Sequence, residues 1–214
     1  GGGYIGLERG IAFRKMGSDV AVVEALDSIL PSYDKELIRP VQMWLKKNKV
    51  ALHTGCKAKG AVEEGGKTFL EFEDAKGDIQ RIEADKILVA VGRKPVTEGW
   101  GLENMGLDTE GPFVKIDHQC RTAMRGVYAI GDLVGEPLLA HKATKQGELV
   151  AEIIAGHKRA YDPVSVAAVC FTEPELVGVG RHGVKVPFVL AGSDVPGTHP
   201  ARNCFFGDTA VGDL

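Results

Sequence analysis

Three observations predict an α/β fold. Gly1, Gly3 and Gly6 stand at the G-x-G-x-x-G spacing ahead of a helical pattern, and residues 19–24 form a short apolar run behind it. Residues 86–91 (Lys-Ile-Leu-Val-Ala-Val) form a continuous apolar run of the kind a strand buried on both faces carries. Helical and buried-strand patterns in alternation are what a parallel sheet with crossover helices requires.

Taken in order, Ile5, Ile11, Ala12, Phe13 and Met16 predict the buried face of the first helix, with Gly17 as its stop. Residues 19–24 follow as a strand and residues 26–34, with Pro31, as a loop. Leu37, Val41, Trp44 and Leu45 recur at helical spacing, and Lys46, Lys47 and Lys49 lie near the C-terminal end, where the helix dipole favours cations. Residues 50–54, 58–63, 68–73 and 79–84 read as short strands separated by Gly65-Gly66 and Lys76-Gly77-Asp78, an antiparallel meander after the βαβ unit. The buried strand at 86–91 is then broken by Gly92-Arg93-Lys94-Pro95. Residues 96–125 are loop-rich, with a strand expected at 113–116. Residues 127–130 form an apolar strand ending in Gly131-Asp132, and a helix is expected over 139–155, capped by Gly156. Residues 167–171 read as a strand and residues 172–175 as a turn.

The opening stretch has the chemistry of a dinucleotide site. Without Cβ atoms, Gly1, Gly3 and Gly6 permit a tight turn, close approach of backbone to a pyrophosphate and close helix packing. The helix N-terminus points unpaired N–H groups and partial positive charge at that anion. Glu24 lies 18 residues beyond Gly6, where a carboxylate accepts from a ribose diol and repels a 2′-phosphate, so NAD is favoured over NADP. Gly92, at the end of the next buried strand, would let backbone approach the same ligand. Asp132 has two readings: an acceptor for a sugar or ribityl hydroxyl beside a second helix N-terminus, or a strand-end aspartate satisfied by its surroundings. His141 likewise reads as a structural or a catalytic histidine.

The 214 residues are 44% hydrophobic and 26% charged, enough for one to two globular domains. The net charge of −3, without a long basic block, argues against a nucleic-acid partner. No apolar run approaches the ~20 residues of a spanning helix, and no signal segment opens the sequence, so a soluble, cytoplasmic protein is expected, with no membrane partner. The four cysteines, Cys56, Cys120, Cys170 and Cys204, form no C-x-x-C or C-x-x-x-x-C pair and read as ordinary thiols; no metal site can be written from them. The last 34 residues hold no glutamate, against 16 in the first 180, together with five glycines and three prolines; no helical or strand period is expected there.

The segments Gly-Gly-Gly-Tyr-Ile-Gly-Leu-Glu (1–8), Val-Glu (23–24), Val-Gly-Arg-Lys-Pro (91–95), Tyr-Ala-Ile-Gly-Asp (128–132), Leu-Ala-His-Lys-Ala (139–143) and Phe-Thr-Glu-Pro-Glu (171–175) occur in an order that closely resembles the flavoprotein pyridine-nucleotide disulfide oxidoreductases. The resemblance covers residues 1–180. It implies a Rossmann-like NAD-binding domain with its meander over 1–94, whose first strand is missing. A return segment of an FAD-binding domain would follow over 95–160 and the start of a truncated dimerisation (interface) domain over 161–180. Residues 181–214 would be an unmatched tail of the kind a reading-frame shift produces.

The resemblance also implies roles. Gly1, Gly2, Gly3, Tyr4, Ile5, Gly6 and Leu7 would meet NAD, with Glu8 near the nicotinamide, Glu24 at the adenosine ribose, and Ala58 and Gly92 lining the same site. Asp132 would hold the FAD ribityl chain, and Leu138, Leu139, Ala140 and His141 would meet the flavin edge through backbone groups. The reaction implied is oxidation of dihydrolipoyl groups, with electrons passing through FAD to NAD. It would take place in a homodimer serving the lipoyl-bearing acyltransferase of a 2-oxo acid dehydrogenase complex. The family's C-x-x-x-x-C dithiol and its His-Pro…Glu base have no counterpart here; His199-Pro200 is followed by no glutamate. A fragment inactive by itself is therefore expected, the alternatives being an NAD-binding remnant without redox chemistry or a piece of a related NAD(P)H disulfide reductase. An NADP-dependent relative is disfavoured by Glu24.

Overall fold

The computed structural model describes residues 1–179 and 186–190. The chain is α/β and forms two compact units, one holding residues 1–92 and 169–179, the other residues 93–168.

In the first unit, helix α1 (Tyr4–Lys15) leads to strand β1 (Ala21–Val23), helix α2 (Lys35–Lys47) and strand β2 (Ala51–His53). β1 and β2 pair in parallel, Ala21 opposite Ala51, so β1-α2-β2 is the crossover unit that the alternation predicts. α1 ends as its glycine requires. Gly17, at φ 100°, bonds through its N–H to the Arg14 carbonyl, and Ser18 bonds back to Phe13, the paired bonds of a Schellman motif.

The buried face of α1 differs from the expectation. Leu7 and Ile11 are buried with Gly6 and Gly10, whereas Phe13 and Met16 are exposed. Positions 7 and 11 are one turn apart, and Gly10 between them lets the helix lie close to the chain entering β1; a Cβ at Gly10 would already touch Val20. Phe13, two residues past Ile11, points to the opposite side. α2 follows its pattern, burying Leu37, Ile38, Val41 and Leu45 with Trp44 packed alongside. Pro40 sits inside it and costs one backbone hydrogen bond, which the buried stripe outweighs.

Strands β3 (Lys57–Glu64), β4 (Lys67–Glu73) and β5 (Ile79–Glu83) form the expected antiparallel meander, with a register irregularity between Ala58 and Gly60. Residues 86–91 do not form the expected buried strand. They carry no ladder hydrogen bonds among the described residues, and Leu88, Val89 and Val91 are exposed. An apolar run records what a segment is able to bury, and a strand also needs a neighbour in register.

Strands β8 (Ala168–Cys170), β9 (Glu175–Val179) and β10 (Val186–Leu190) form a sheet in the order β10-β9-β8. β10 overturns the expectation of no strand beyond residue 180: it pairs antiparallel with β9, Val186 opposite Val179. Pro187 obscured it, yet an edge strand tolerates a residue without an N–H. His199, Pro200 and Cys204 lie outside the described residues.

The second unit is held by Leu102, Val114 and Ala129, with Met105, Leu107, Ile116, Leu133 and Val134 against them. Strands β6 (Thr109–Glu110) and β7 (Phe113–Val114) pair, the latter shorter than the expected 113–116. Residues 127–130 make only an isolated bridge, Arg121 to Tyr128, before a 3₁₀ turn at Gly131–Val134. Helix α3 (Ala140–Ile154) ends at Gly156 in a second Schellman pair, Gly156 to Ile153 and His157 to Glu152.

Cys170 and Tyr33 lie together in the first unit. Burial, with Glu8 nearby, pushes the Cys170 thiol up to about 12, and burial with Cys170 and Glu8 pushes the Tyr33 phenol up to about 12. An unfolded thiol releases its proton near pH 8.5 whereas the folded one keeps it, so above that pH the unfolded state binds fewer protons. The stabilisation is fully present well below pH 8.5 and is lost as pH rises toward 12, with a slope that approaches roughly a tenfold change in the folding equilibrium per pH unit above about pH 9.5. Urea midpoints at pH 8, 9 and 10 should fall along this slope in the wild type and along a flatter one in Cys170→Ala. Equal slopes would remove Cys170 from the account.

Candidate nucleotide and flavin sites

The glycine turn is built by contacts that only glycine permits. A Cβ on Gly6 would stand 2.0 Å from the Gly1 carbonyl oxygen, and one on Gly1 would stand 2.4 Å from the Ala90 oxygen. A Cβ on Gly2 would meet Ile29 Cγ2 at 2.8 Å. Gly3 differs: nothing lies within 4 Å of where its Cβ would be, and it caps α1 in an extended conformation without a side-chain hydrogen bond. The turn is thus packed on its protein side and open at Gly3.

Glu24 leaves β1 and returns to this turn. Its Oε2 accepts from the Gly2 N–H at 2.5 Å and its Oε1 from the Leu26 N–H at 2.8 Å. With one hydrogen bond on each oxygen, the carboxylate is fixed in orientation and keeps lone pairs for a further donor. Its own backbone is held by His53 and Cys56. Tyr4 and Ile5 are half-buried in the first turn of α1 and Leu7 is fully buried, so Leu7 serves the core. Glu8 accepts from the Phe171 N–H at 3.0 Å. Ala58 is exposed on β3 opposite Phe72, and Gly92 is exposed at φ 132° with open space around it.

In the second unit, Asp132 sits in the 3₁₀ turn with its carboxylate about half exposed, 3.9 Å from the Arg93 guanidinium. Arg93 also donates to the Leu138 carbonyl at 2.5 Å. Gly131, at φ 73°, gives its N–H to the buried Gln146 Oε1 at 2.8 Å, and a Cβ there would lie 3.1 Å from the Ala143 Cβ. Its missing side chain therefore lets the turn close on α3. Leu139 caps α3 in an extended conformation, and Ala143 makes the first intrahelical bond back to it, leaving the Ala140, His141 and Lys142 N–H groups without i−4 acceptors inside the helix. The His141 ring donates through Nε2 to the Ala167 carbonyl at 2.6 Å, which places His141 in a structural contact.

Lys142 is buried, and its ammonium donates to the Gly135 carbonyl. Burial pushes its pKa below the ordinary lysine range, against the pull of Asp132 and Glu136. Residues that sequence reasoning did not single out for these sites are Ile29 and Leu30, which press on Gly2, Ala90 behind Gly1, and Arg93 and Lys142. Ile29 and Leu30 did carry a signal: two apolar residues inside an otherwise turn-forming loop.

The family model of the pyridine nucleotide-disulphide oxidoreductases matches residues 1–147, and the chain belongs to this family. Within it, the chain is 56% identical over 180 residues to a dihydrolipoyl dehydrogenase of Pseudomonas aeruginosa, covering 84% of this chain and 38% of that protein. It is 43% identical over 182 residues to one of Bacillus subtilis, with the same coverage of both. Among solved structures, the HOCl-induced flavoprotein disulfide reductase RclA of Escherichia coli, as its Cu(II) complex, matches with a TM-score of 0.76 at 25% identity, over 84% of this chain and 41% of that one. LpdA of Mycobacterium tuberculosis matches with a TM-score of 0.72 at 29% identity, over 86% and 39%. The chain thus spans less than half the length of the relatives it matches. No helix among the described residues is long and apolar enough to cross a membrane.

Proposed function

We propose that the chain is the nucleotide-binding portion of a dihydrolipoyl dehydrogenase, binding NAD at Gly1–Glu24 and contributing Asp132 and the N-terminus of α3 to an FAD site. The observation that carries the NAD reading is the turn itself. Gly1, Gly2 and Gly6 are closed to any side chain by protein atoms, Gly3 is open, and Glu24 is fixed beside it by two backbone donors. The fit is that of a pyrophosphate at the start of α1 with a ribose diol at the carboxylate. For FAD, a half-exposed Asp132 beside a helix start whose first N–H groups have no i−4 acceptors inside the helix fits a polyol chain next to an electron-rich edge.

In this reading Gly3, Tyr4 and Ile5 turn backbone N–H groups to the pyrophosphate, and Glu24 selects the unphosphorylated ribose by charge. Ala58 and Gly92 border the same ligand, Glu8 stands near the nicotinamide end, and Leu138, Leu139, Ala140 and His141 present backbone to the flavin. Residues 1–94 are the NAD-binding domain, 95–160 belong to the FAD-binding domain and 161–180 open the interface domain, with residues beyond 180 outside the family pattern. When bound, FAD and NAD supply the electron and hydride transfer. The parent enzyme acts as a cytoplasmic homodimer on lipoyl groups of a 2-oxo acid dehydrogenase complex, and the sulfur chemistry lies with residues that this sequence does not contain. A regulator that only binds NAD is the second reading, favoured by the lack of a C-x-x-x-x-C pair.

Titration of the purified chain with NAD and NADP by calorimetry tests the proposal. NAD should bind and NADP should bind about tenfold more weakly or worse, given the charge repulsion at Glu24. Glu24→Ala should weaken NAD by roughly tenfold or more, since it removes a charged acceptor and frees the Gly2 and Leu26 N–H groups. With FAD and dihydrolipoamide added, the chain should form no NADH. Equal affinity for both nucleotides, or none for NAD, would defeat the reading.

A further inference from the structure

Resting on the NAD reading above, we infer that Leu30 is a positioning residue of the nucleotide site, whose backbone N–H sets the Gly2–Gly3 peptide that meets the pyrophosphate. Leu30 is a buried, non-glycine residue in the left-handed region, φ 48°. A leucine avoids that conformation unless its surroundings impose it, and such residues concentrate at functional sites. Here the surroundings are specific. The Leu30 N–H donates to the Gly2 carbonyl at 3.0 Å, and the Leu30 carbonyl accepts from the Tyr33 N–H at 2.9 Å. The neighbouring Ile29, fully buried, lies where a Gly2 side chain would have to go.

The Gly2 backbone is therefore held at both ends, its N–H by Glu24 and its carbonyl by Leu30. Both groups are consumed inside the protein, which removes Gly2 from the ligand-facing donors. The next donor is the Gly3 N–H, which meets no acceptor among the described residues and belongs to the same peptide unit as the Gly2 carbonyl. A hydrogen bond accepted at a carbonyl polarises that peptide and strengthens its N–H as a donor. Leu30 thereby fixes the plane of the Gly2–Gly3 peptide and sharpens its one free donor on the open side of the turn. The loop after β1, which sequence reasoning treats as a connection, becomes part of the nucleotide site.

The test removes the Leu30 N–H while keeping every side chain; it also weakens the Ile29 carbonyl, whose acceptor role is to the Ser28 hydroxyl and not to Gly2. The chain is assembled by ligation at Gly55–Cys56 with Leu30 replaced by its α-hydroxy acid, giving an ester at that position, and is compared with the unmodified chain and with Leu30→Gly. In the ligand-free chain the Gly3 amide ¹⁵N resonance should move in the ester and stay in place in Leu30→Gly, which keeps the N–H and adopts φ > 0 freely. Titrated with NAD, the ester should bind about fivefold more weakly, the loss of one ordinary hydrogen bond. The inference falls if the ester leaves the Gly3 resonance unmoved, or if Leu30→Gly displaces it as far as the ester does. Should the unmodified chain bind no NAD while the ester still moves Gly3, the Leu30–Gly2 coupling stands and the nucleotide assignment alone is overturned.

Discussion

Gly6→Ala is expected to abolish measurable NAD binding and to destabilise the first unit by about 2 kcal/mol, the cost of overpacking a closed contact. The added methyl would stand 2.0 Å from the Gly1 carbonyl oxygen, a backbone atom with no rotamer to escape into. Gly1 has no room to retreat, because its own Cβ position is 2.4 Å from the Ala90 oxygen. α1 resists sliding outward, because Leu7 and Ile11 anchor it in the core and the Leu7 N–H is bonded to the Gly3 carbonyl. The strain is therefore relieved by opening the turn, which displaces Gly3 from the position in which its N–H would meet the proposed nucleotide. Gly3→Ala gives the contrast: with nothing within 4 Å, its thermal stability should stay within about 0.5 kcal/mol of wild type. Thermal denaturation of the two variants with calorimetric NAD titration of Gly6→Ala checks both statements. Equal stability of Gly6→Ala and Gly3→Ala would show that the turn is not closed as described.

The glycines of this turn were legible because their reason is local: a missing Cβ at fixed spacing before a helix. So were α2 and the helix stops at Gly17 and Gly156, where periodicity and left-handed backbone act within one or two turns of chain. What sequence reasoning missed depends on partners far along it. The exposure of Val89 and Val91 depends on which strand lies beside them, and an apolar run looks the same with or without that neighbour. The α1 face was misassigned because Phe13 and Met16 are more hydrophobic than Gly6 and Gly10, yet close packing needs the smaller residues. Leu30 left no trace of its φ, since leucine carries no left-handed preference and the conformation is imposed by Gly2, 28 positions away. Arg93 reaches Leu138 across 45 positions, a link that charge pattern alone does not reveal.

Lys142→Ala is expected to destabilise the second unit by about 2–4 kcal/mol, from the cavity left by a long buried side chain and a carbonyl left without its donor. Lys142 and Lys145 lie three residues apart on α3, and by sequence they are equivalent helical lysines. The structure separates them. Lys145 is half exposed and pairs with Glu148 at 3.7 Å, a contact worth a few tenths of a kcal/mol. Lys142 is 4% exposed, in the first turn of the helix, where a cation meets the positive end of the dipole. Burial and the dipole both oppose its charge, so the contact that holds it there must be strong. The contact is the Gly135 carbonyl, and the negative charges of Asp132 and Glu136 favour the ammonium form. Removing the side chain leaves a cavity beneath the turn and deprives the Gly135 carbonyl of its donor. Lys142→Met keeps a buried unbranched stem and should cost less, about 1–2 kcal/mol. Amide hydrogen exchange reads the difference locally. Protection should fall at Gly131 and Ala143 in the order wild type, Met, Ala, while Val22 and Val41 in the first unit hold their values as an internal reference. If Lys142→Ala exchanges like Lys145→Ala, the buried ammonium does not hold the Asp132 turn, and the turn's position must come from Gly131 closing on Ala143 and its bond to Gln146.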